Sequence, residues 1–132
     1  MRGYSMLRTY LIAGIIILIL VLGGYWQNSY ISESTYTLTE KLVNVEEQIR
    51  AKSWSNANQE IEKFSQDWNG IKKFWSILLD HQEIDEIELS LIRLEQYIKE
   101  NETVLSLGEL SALRLLVDHI ADKGMITLQN IF

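Results

Sequence analysis

Residues Leu7–Trp26 read LRTYLIAGIIILILVLGGYW, a segment with no charged or amide side chain between Leu11 and Gly24. Aromatic residues stand at both of its ends. About 20 apolar residues of helix are needed to cross the hydrocarbon core of a bilayer, and tyrosine and tryptophan are enriched at the interfaces. The segment therefore predicts a single-pass transmembrane helix over residues 7–26, with the lipid bilayer as its partner.

The charges beside this segment indicate its orientation. Arg2 and Arg8 lie on the N-terminal side, whereas no Lys or Arg occurs between Trp26 and Lys41. Basic residues are retained on the cytoplasmic side of a membrane. We expect residues 1–6 to be a short cytoplasmic N-terminus and residues 27–132 to lie outside the cytoplasm, held at the cell membrane by a signal-anchor.

A cleaved signal peptide is the alternative interpretation, because a short basic region precedes the apolar core. No A-x-A-like cleavage site follows Gly23 and Gly24, and Tyr25 and Trp26 are typical of an interfacial belt. These features favour a retained anchor. The chain has no cysteine, which excludes a lipoprotein anchor and disulfide bonds.

The part after the anchor is acidic and suited to helix. Residues 27–132 contain ten of the twelve basic residues and all eighteen acidic ones, a formal charge of −8. Such a surface repels nucleic acids and anionic headgroups, so we expect no nucleic-acid partner. The chain has no proline, and glycine, the other strong helix breaker, is sparse after the anchor. The predicted fold is all-α, with the transmembrane helix followed by an antiparallel bundle of about four helices.

Apolar residues recur at steps of three and four along residues 35–132, as in amphipathic helices. The pattern predicts helices over about 35–50, 54–79, 83–100 and 107–123. Residues 27–34 form a juxtamembrane connector that can also continue the helix, and we expect the apolar segment 125–132 to fold back over the bundle. The predicted core is Ile31, Leu38, Leu42, Val45, Ile49, Trp54, Ala57, Ile61, Phe64, Trp68, Ile71, Trp75, Leu78, Ile84, Ile87, Leu91, Leu94, Ile98, Leu110, Leu113, Val117 and Ile120, widened by Phe74, Leu79, Leu89, Ile92 and Tyr97.

Helix ends are predicted from capping residues. Capping-box spacing occurs at Thr37 with Glu40, Asp80 with Glu83, and Ser106 with Glu109, and Ser53 is the predicted N-cap of the second helix. Gly124 is the predicted left-handed residue that ends the fourth helix.

Asn69–Gly70 is a typical turn dipeptide, yet the apolar spacing passes through it unshifted. We favour one helix over residues 54–79 to two, because a single internal glycine costs only about 1 kcal/mol.

His81, Asp85 and Glu88 are the strongest metal-site candidates, since an imidazole and two carboxylates one turn apart could converge on a divalent cation. No second His or Cys lies one turn away, so a capping role at the helix terminus is the favoured interpretation, and we expect no metal. His119 could approach His81 if the second turn meets the end of the fourth helix. A solvated histidine in a last helical turn is the favoured interpretation of His119.

Trp54, Trp68 and Trp75 share one helix face and could form an aromatic cage for a cation. Such a stripe is more often core, with a hydrogen-bond partner for each indole. The acidic residues between Glu83 and Glu88 lack the loop of an EF-hand. Neither a G-x-S-x-G motif nor a glycine-rich phosphate loop occurs. We expect no enzymatic activity, no catalytic residue and no cofactor.

Several short patterns resemble a known family. They are the tryptophan-rich second helix, the segment HQEIDEI at His81–Ile87 leading into a leucine-rich helix, the pair His119–Ile120, and the terminal Asn130–Ile131–Phe132. Together they resemble a family of small single-pass membrane proteins from spore-forming Firmicutes that is known as a domain of unknown function. The resemblance implies a membrane-anchored helical domain and no functional residues to transfer.

The anchor, the acidic charge and the lack of a chemical motif favour an interaction or scaffold protein outside the cytoplasm, accessory to another membrane or envelope protein. The alternative is a helical bundle that senses a small molecule between its helices and relays the signal through a partner. The sequence leaves the oligomeric state open.

Overall fold

A computed structural model of the chain describes the backbone of residues 2–131 and the side chains of residues 3–123. Its four helices are α1 (Arg2–Arg50), α2 (Trp54–Leu78), α3 (His81–Lys99) and α4 (Thr103–Ile131). Each helix packs against its neighbours in the chain, and α4 also packs against α1. Turns of two or three residues join them, so the helices run antiparallel. The predicted all-α bundle behind an apolar N-terminal helix is confirmed.

The first helix is continuous from the apolar segment into the bundle. α1 has 49 residues, a length of about 73 Å at ~1.5 Å per residue. The connector over residues 27–34 is therefore helical, which was the second of its two expected forms. The capping box at Thr37 and Glu40 is wrong, because both residues lie inside α1 and no helix begins there.

The stripes predicted from the sequence form the core. The largest fully buried side chains are Leu38, Leu42, Ile49, Phe64, Trp68, Trp75, Ile87, Leu94, Ile98, Leu110, Leu113 and Ile120. Trp54, Ile71, Phe74 and Leu79 pack against this core while remaining partly exposed. Leu89 and Ile92 were expected beside the core and are instead 51% and 61% exposed. They lie on the solvent side of α3, away from Ile87 and Leu94.

Two of the turns contain a residue in the left-handed conformation. Lys52 and Asn101 have φ angles of 54° and 58°. At α1, the Lys52 N–H donates to the Ile49 carbonyl and the Ser53 N–H to the Gln48 carbonyl. This is the Schellman arrangement, and the same pattern of bonds ends α3. In the turn between α2 and α3, the Asp80 carboxylate accepts a hydrogen bond from the Gln82 N–H at 3.4 Å, as an N-cap residue does.

Other predicted ends differ from the structure. Ser53 precedes α2 but makes no capping bond with its side chain. α4 begins at Thr103 instead of residue 107, so Ser106 lies inside the helix and the capping box there is wrong. α4 also continues through Gly124 to Ile131, which rules out the predicted left-handed end at Gly124. The side-chain packing expected of residues 125–132 lies outside the described residues. α2 passes through Gly70 as one helix, as favoured.

An ion pair crosses each of the four contacts between neighbouring helices. Lys41 pairs with Asp67 at 3.7 Å (α1 and α2), Lys72 with Glu88 (α2 and α3), Arg93 with Glu109 at 3.7 Å (α3 and α4), and Arg114 with Glu46 at 2.9 Å (α4 and α1). Each pair is partly exposed, so its contribution to stability is small, at roughly 0–1 kcal/mol. Their main effect is on register, since a helix that slid by one turn would separate opposite charges.

Candidate functional site

The apolar segment of α1 stands clear of the bundle. Every large apolar side chain from Leu7 to Leu22 is exposed. Among the described residues, α1 is the helix long and apolar enough to cross a membrane. Because burial against the protein does not account for these side chains, the segment is suited to hydrocarbon.

An aromatic cluster joins this segment to the bundle. The ring of Phe74, near the end of α2, lies 5.5 Å from that of Trp26 and 4.4 Å from that of Tyr30, both edge to face. Trp26 and Tyr30 also stack on each other at 5.9 Å. Such pairs contribute about 0.5–1.5 kcal/mol each. They bind the end of α2 to the base of the apolar segment.

The three metal-site candidates do not form a common site. His81 and Asp85 are exposed at the start of α3. The Glu88 carboxylate bonds to the Lys72 ammonium of α2, so it is already neutralised by a cation. Within the described part of the chain, no three His, Cys, Asp or Glu side chains are grouped so that they could hold a metal ion.

The second turn does meet α4 near its predicted end. A cleft of about 270 Å³ lies between the start of α3 and α4, and Asp80, Glu83, Glu86, His119 and Lys123 contribute to its walls. His81 is not part of the lining. The Lys123 ammonium bonds to the Glu83 carboxylate, and this bond is the main reason that the pKa of Lys123 is raised. The cleft is open and charged, with its one lysine already bonded to a carboxylate.

A second cleft, of about 230 Å³, lies between α1 and α4. Its walls include the hydroxyl side chains of Ser32, Thr35 and Thr39, the amide of Asn28 and the ring of Tyr36. The hydroxyls of Thr35 and Thr39 are buried and form no hydrogen bond with any described residue.

The solvent side of α4 differs in character from that of α2. Over residues 103–117 its exposed residues are all uncharged, and we refer to them as the α4 outer face: Val104, Leu105, Gly108, Ser111, Ala112 and Leu115. On α2 the exposed residues include Gln59, Glu62, Lys63, Gln66 and Lys73. This face was not predicted from the sequence. The signal was present in Leu105, Gly108, Ala112 and Leu115, which repeat the spacing of three and four on the side opposite the core.

The tryptophans of α2 are core residues. Trp68 and Trp75 are 1% and 0% exposed, and their rings meet edge to face at 5.7 Å. Trp54 packs at the margin of the core. The expected hydrogen-bond partners are missing, because neither the Trp68 nor the Trp75 indole N–H has an acceptor among the described residues. Two buried rings in contact with each other do not form an open cage for a cation, so the aromatic cage is wrong.

A family model covers this bundle. Residues 25–131 match the model of a domain of unknown function, DUF4363. The chain belongs to the DUF4363 family. The match begins at Tyr25, so the DUF4363 domain comprises the bundle and the interfacial end of the apolar segment. The predicted membership in a family of unknown function is confirmed. Comparisons with curated proteins and with solved structures gave no match.

Proposed function

We propose that the protein is a membrane-anchored interaction module, which holds a rigid acidic bundle at a fixed position outside the cytoplasmic membrane and serves another membrane or envelope protein there. The continuity of α1 is the main support. One helix contains both the exposed apolar segment and the first core stripe of the bundle, beginning at Ile31. A flexible linker would let the bundle move to different positions, whereas a continuous helix fixes the distance and orientation of the bundle relative to the membrane.

The orientation follows from the basic residues. Arg8 stands at the N-terminal end of the apolar segment, and the next basic residue after the segment is Lys41. With the N-terminus in the cytoplasm, the acidic bundle is exported. Its charge keeps it away from anionic lipid headgroups, so the bundle stands off the membrane surface and leaves its sides accessible to proteins.

The sizes of the two clefts favour an interaction role over small-molecule sensing. At about 270 and 230 Å³ they fall below the roughly 300–1,000 Å³ of typical ligand pockets. The core between the helices is filled by large side chains such as Trp68 and Trp75. A sensor that binds a small molecule between its helices would need a cavity in this core.

The topology can be tested with single cysteines, because the chain contains none. Gln59→Cys lies on the exposed side of α2, and Gly3→Cys lies ahead of the apolar segment. In intact cells, a membrane-impermeant maleimide should label Gln59→Cys, while Gly3→Cys should react only after the membrane is opened. The reverse pattern, or release of the full chain by alkaline carbonate, would overturn the proposal.

The interaction role needs a second experiment. Chemical crosslinking in native membranes, followed by purification of the full chain, should recover another membrane or envelope protein at a constant ratio. Recovery of this chain alone, as monomer or oligomer, would remove the accessory role while leaving the anchoring intact.

A further inference from the structure

We propose that the turn between α2 and α3, residues 77–80, is a membrane contact, which lies on the lipid surface beside the point where α1 leaves the bilayer and has the Ile77 side chain against lipid. The proposal rests on the anchoring proposed above and goes beyond it, because it brings a second part of the chain to the membrane. The acidic sides of the bundle stay off the surface, and the contact is confined to this turn at its base.

The aromatic cluster fixes the height of this turn. Trp26 ends the apolar segment, and tryptophan is enriched where hydrocarbon meets the headgroups. The ring of Phe74 lies against the rings of both Trp26 and Tyr30. Ile77 is three residues farther along α2, an advance of about 4.5 Å. Because α2 runs antiparallel to α1, this advance is toward the membrane, and Ile77 lies at about the level of Trp26.

Ile77 is apolar and exposed at this level. Its side chain is 78% exposed, so it contributes little to the packing of the bundle. Leu78 and Leu79 follow it and are partly exposed. A single exposed isoleucine on a soluble protein needs no explanation. This one lies one helical turn from Phe74, whose ring touches Trp26, so it adjoins the apolar surface of the anchor.

Lys73 and Ile77 have the arrangement of a helix face at a lipid boundary. They are four residues apart, so both lie on one side of α2, with Lys73 one turn farther from the membrane. Lys73 is exposed. A lysine in this position places its ammonium among the headgroup phosphates while its methylenes lie along the apolar layer. The charge is then at the level of the headgroups and the isoleucine is below it.

The two ends of the bundle differ in the way that a membrane on one side would require. The turns at the far end contain no large apolar residue; they consist of Ala51, Lys52, Ser53, Glu100, Asn101 and Glu102. The turn beside the anchor contains three large apolar residues in succession. Exposure to water at both ends would not account for this difference, whereas lipid at the base does.

Asp80 limits the depth of the contact. It is exposed at the end of the turn, and its carboxylate accepts the bond from the Gln82 N–H at the start of α3. An ionised carboxylate is costly in hydrocarbon. The charge of the neighbouring Glu83 is compensated within the bundle by its bond to the Lys123 ammonium. The turn therefore rests at the interface and does not cross into the hydrocarbon.

The contact gives the molecule a second point on the membrane. A single helix that crosses a bilayer can tilt in any direction, and residues at the interface determine which direction it takes. Because α2 lies on one side of α1, leaning toward α2 would press Asp80 into the hydrocarbon, and leaning away would lift Ile77 out of the lipid. The two points together fix the direction in which the bundle faces.

Fluorescent labelling of single cysteines tests the contact, because the chain has no cysteine of its own. The full chain, with an NBD probe at Ile77→Cys, is inserted into phosphatidylcholine vesicles that contain a nitroxide on the acyl chain near the headgroup. Gln66→Cys is the matched control, exposed on the same side of α2 and about 16 Å farther from the membrane. The nitroxide should quench the probe at Ile77→Cys and leave that at Gln66→Cys nearly unchanged. Iodide in the water should quench them in the reverse order.

A probe at His81→Cys keeps Ile77 in place and checks that the turn, and not the probe, makes the contact. His81 is exposed at the start of α3, and its probe should be quenched by the lipid nitroxide more than that at Gln66→Cys. Equal quenching at the three positions would overturn the proposal. So would a probe at Ile77→Cys that is shielded from iodide yet insensitive to the nitroxide, because protein would then cover it.

Flotation with the vesicles separates the two possible failures. A chain that floats with the vesicles while its Ile77→Cys probe stays unquenched is anchored without this contact, so the inference alone is overturned. A chain that does not float contradicts the anchoring itself, and the inference falls with it.

Discussion

Substitution of Trp75 is the strongest test of the packing that stabilises the bundle. Its side chain is fully buried and meets Trp68 edge to face. Burying an aromatic of this size removes about 150–250 Å² from water, which at ~25 cal/mol per Å² stabilises the fold by roughly 4–6 kcal/mol. The indole N–H without an acceptor offsets about 1–3 kcal/mol of that. Allowing for the cavity left behind, we expect Trp75→Ala to lower the free energy of unfolding by about 3–5 kcal/mol.

The substitution Trp75→Phe separates the contribution of ring burial from the cost of the indole N–H without an acceptor. It keeps most of the ring and removes the N–H that has no acceptor, so the expected loss is below about 1.5 kcal/mol. Urea unfolding of the full chain in detergent micelles, followed by far-ultraviolet circular dichroism, measures both variants. Ile77→Ala, at a side chain 78% exposed, is the matched control and should stay within about 0.5 kcal/mol of wild type. A Phe variant as unstable as the Ala variant would refute the reasoning, because the N–H would then be making an important bond.

Three further perturbations test other features. Gly70→Ala should raise the free energy of unfolding by about 0.5–1 kcal/mol in a thermal melt, since Gly70 is exposed within α2 and an added Cβ meets nothing within 4 Å; a loss of stability would indicate a break in the helix there. The Arg114 guanidinium, helped by Arg50, holds the pKa of the Glu46 carboxyl below its usual value. The bonded carboxylate therefore stabilises the fold above about pH 4.3, and this stabilisation is lost as the pH falls through the lowered pKa. Glu46→Gln should therefore flatten the fall in melting temperature on acidification, whereas an unchanged acid profile would contradict the bond. Glu33→Pro should cost about 3 kcal/mol relative to Glu33→Ala because it interrupts α1; equal melting temperatures for the two would argue against one continuous helix.

The sequence predicted the core well because helix burial has a simple period. The stripe from Leu38 to Ile49 and the stripe of α2 each repeat at three and four residues, and a bundle of antiparallel helices buries such stripes along its common axis. The turns near Lys52, Asp80 and Asn101 were also located, since the apolar phase shifts at each of them.

Helix ends were less predictable because capping pairs are short and common. Ser106 and Glu109 have the spacing of a capping box, yet Glu109 bonds instead to Ser90 on α3. Whether such a pair caps a helix depends on where the chain turns, and α4 begins four residues earlier than predicted, at Thr103. The continuity of α1 was likewise ambiguous, because a short polar segment such as residues 27–34 is compatible with helix or loop.

Features that depend on two distant parts of the chain could not be predicted. The pairing of Glu46 with Arg114 joins residues 68 positions apart, and it follows from the relative register of α1 and α4. The cleft beside His119 depends in the same way on how far α4 extends past the second turn. Nothing in the local pattern around either residue identifies its neighbour.

The stiffness of α1 has a mechanical consequence for the whole molecule. Arg50 lies ~36 Å along the axis from Trp26, and membrane helices tilt on average by about 20° from the bilayer normal. A tilt of that size swings the far tip of the bundle sideways by ~12 Å, since no joint in the rod absorbs the angle. Membrane thickness sets the tilt of the apolar segment. A change in thickness therefore changes the position of the distal end of the molecule.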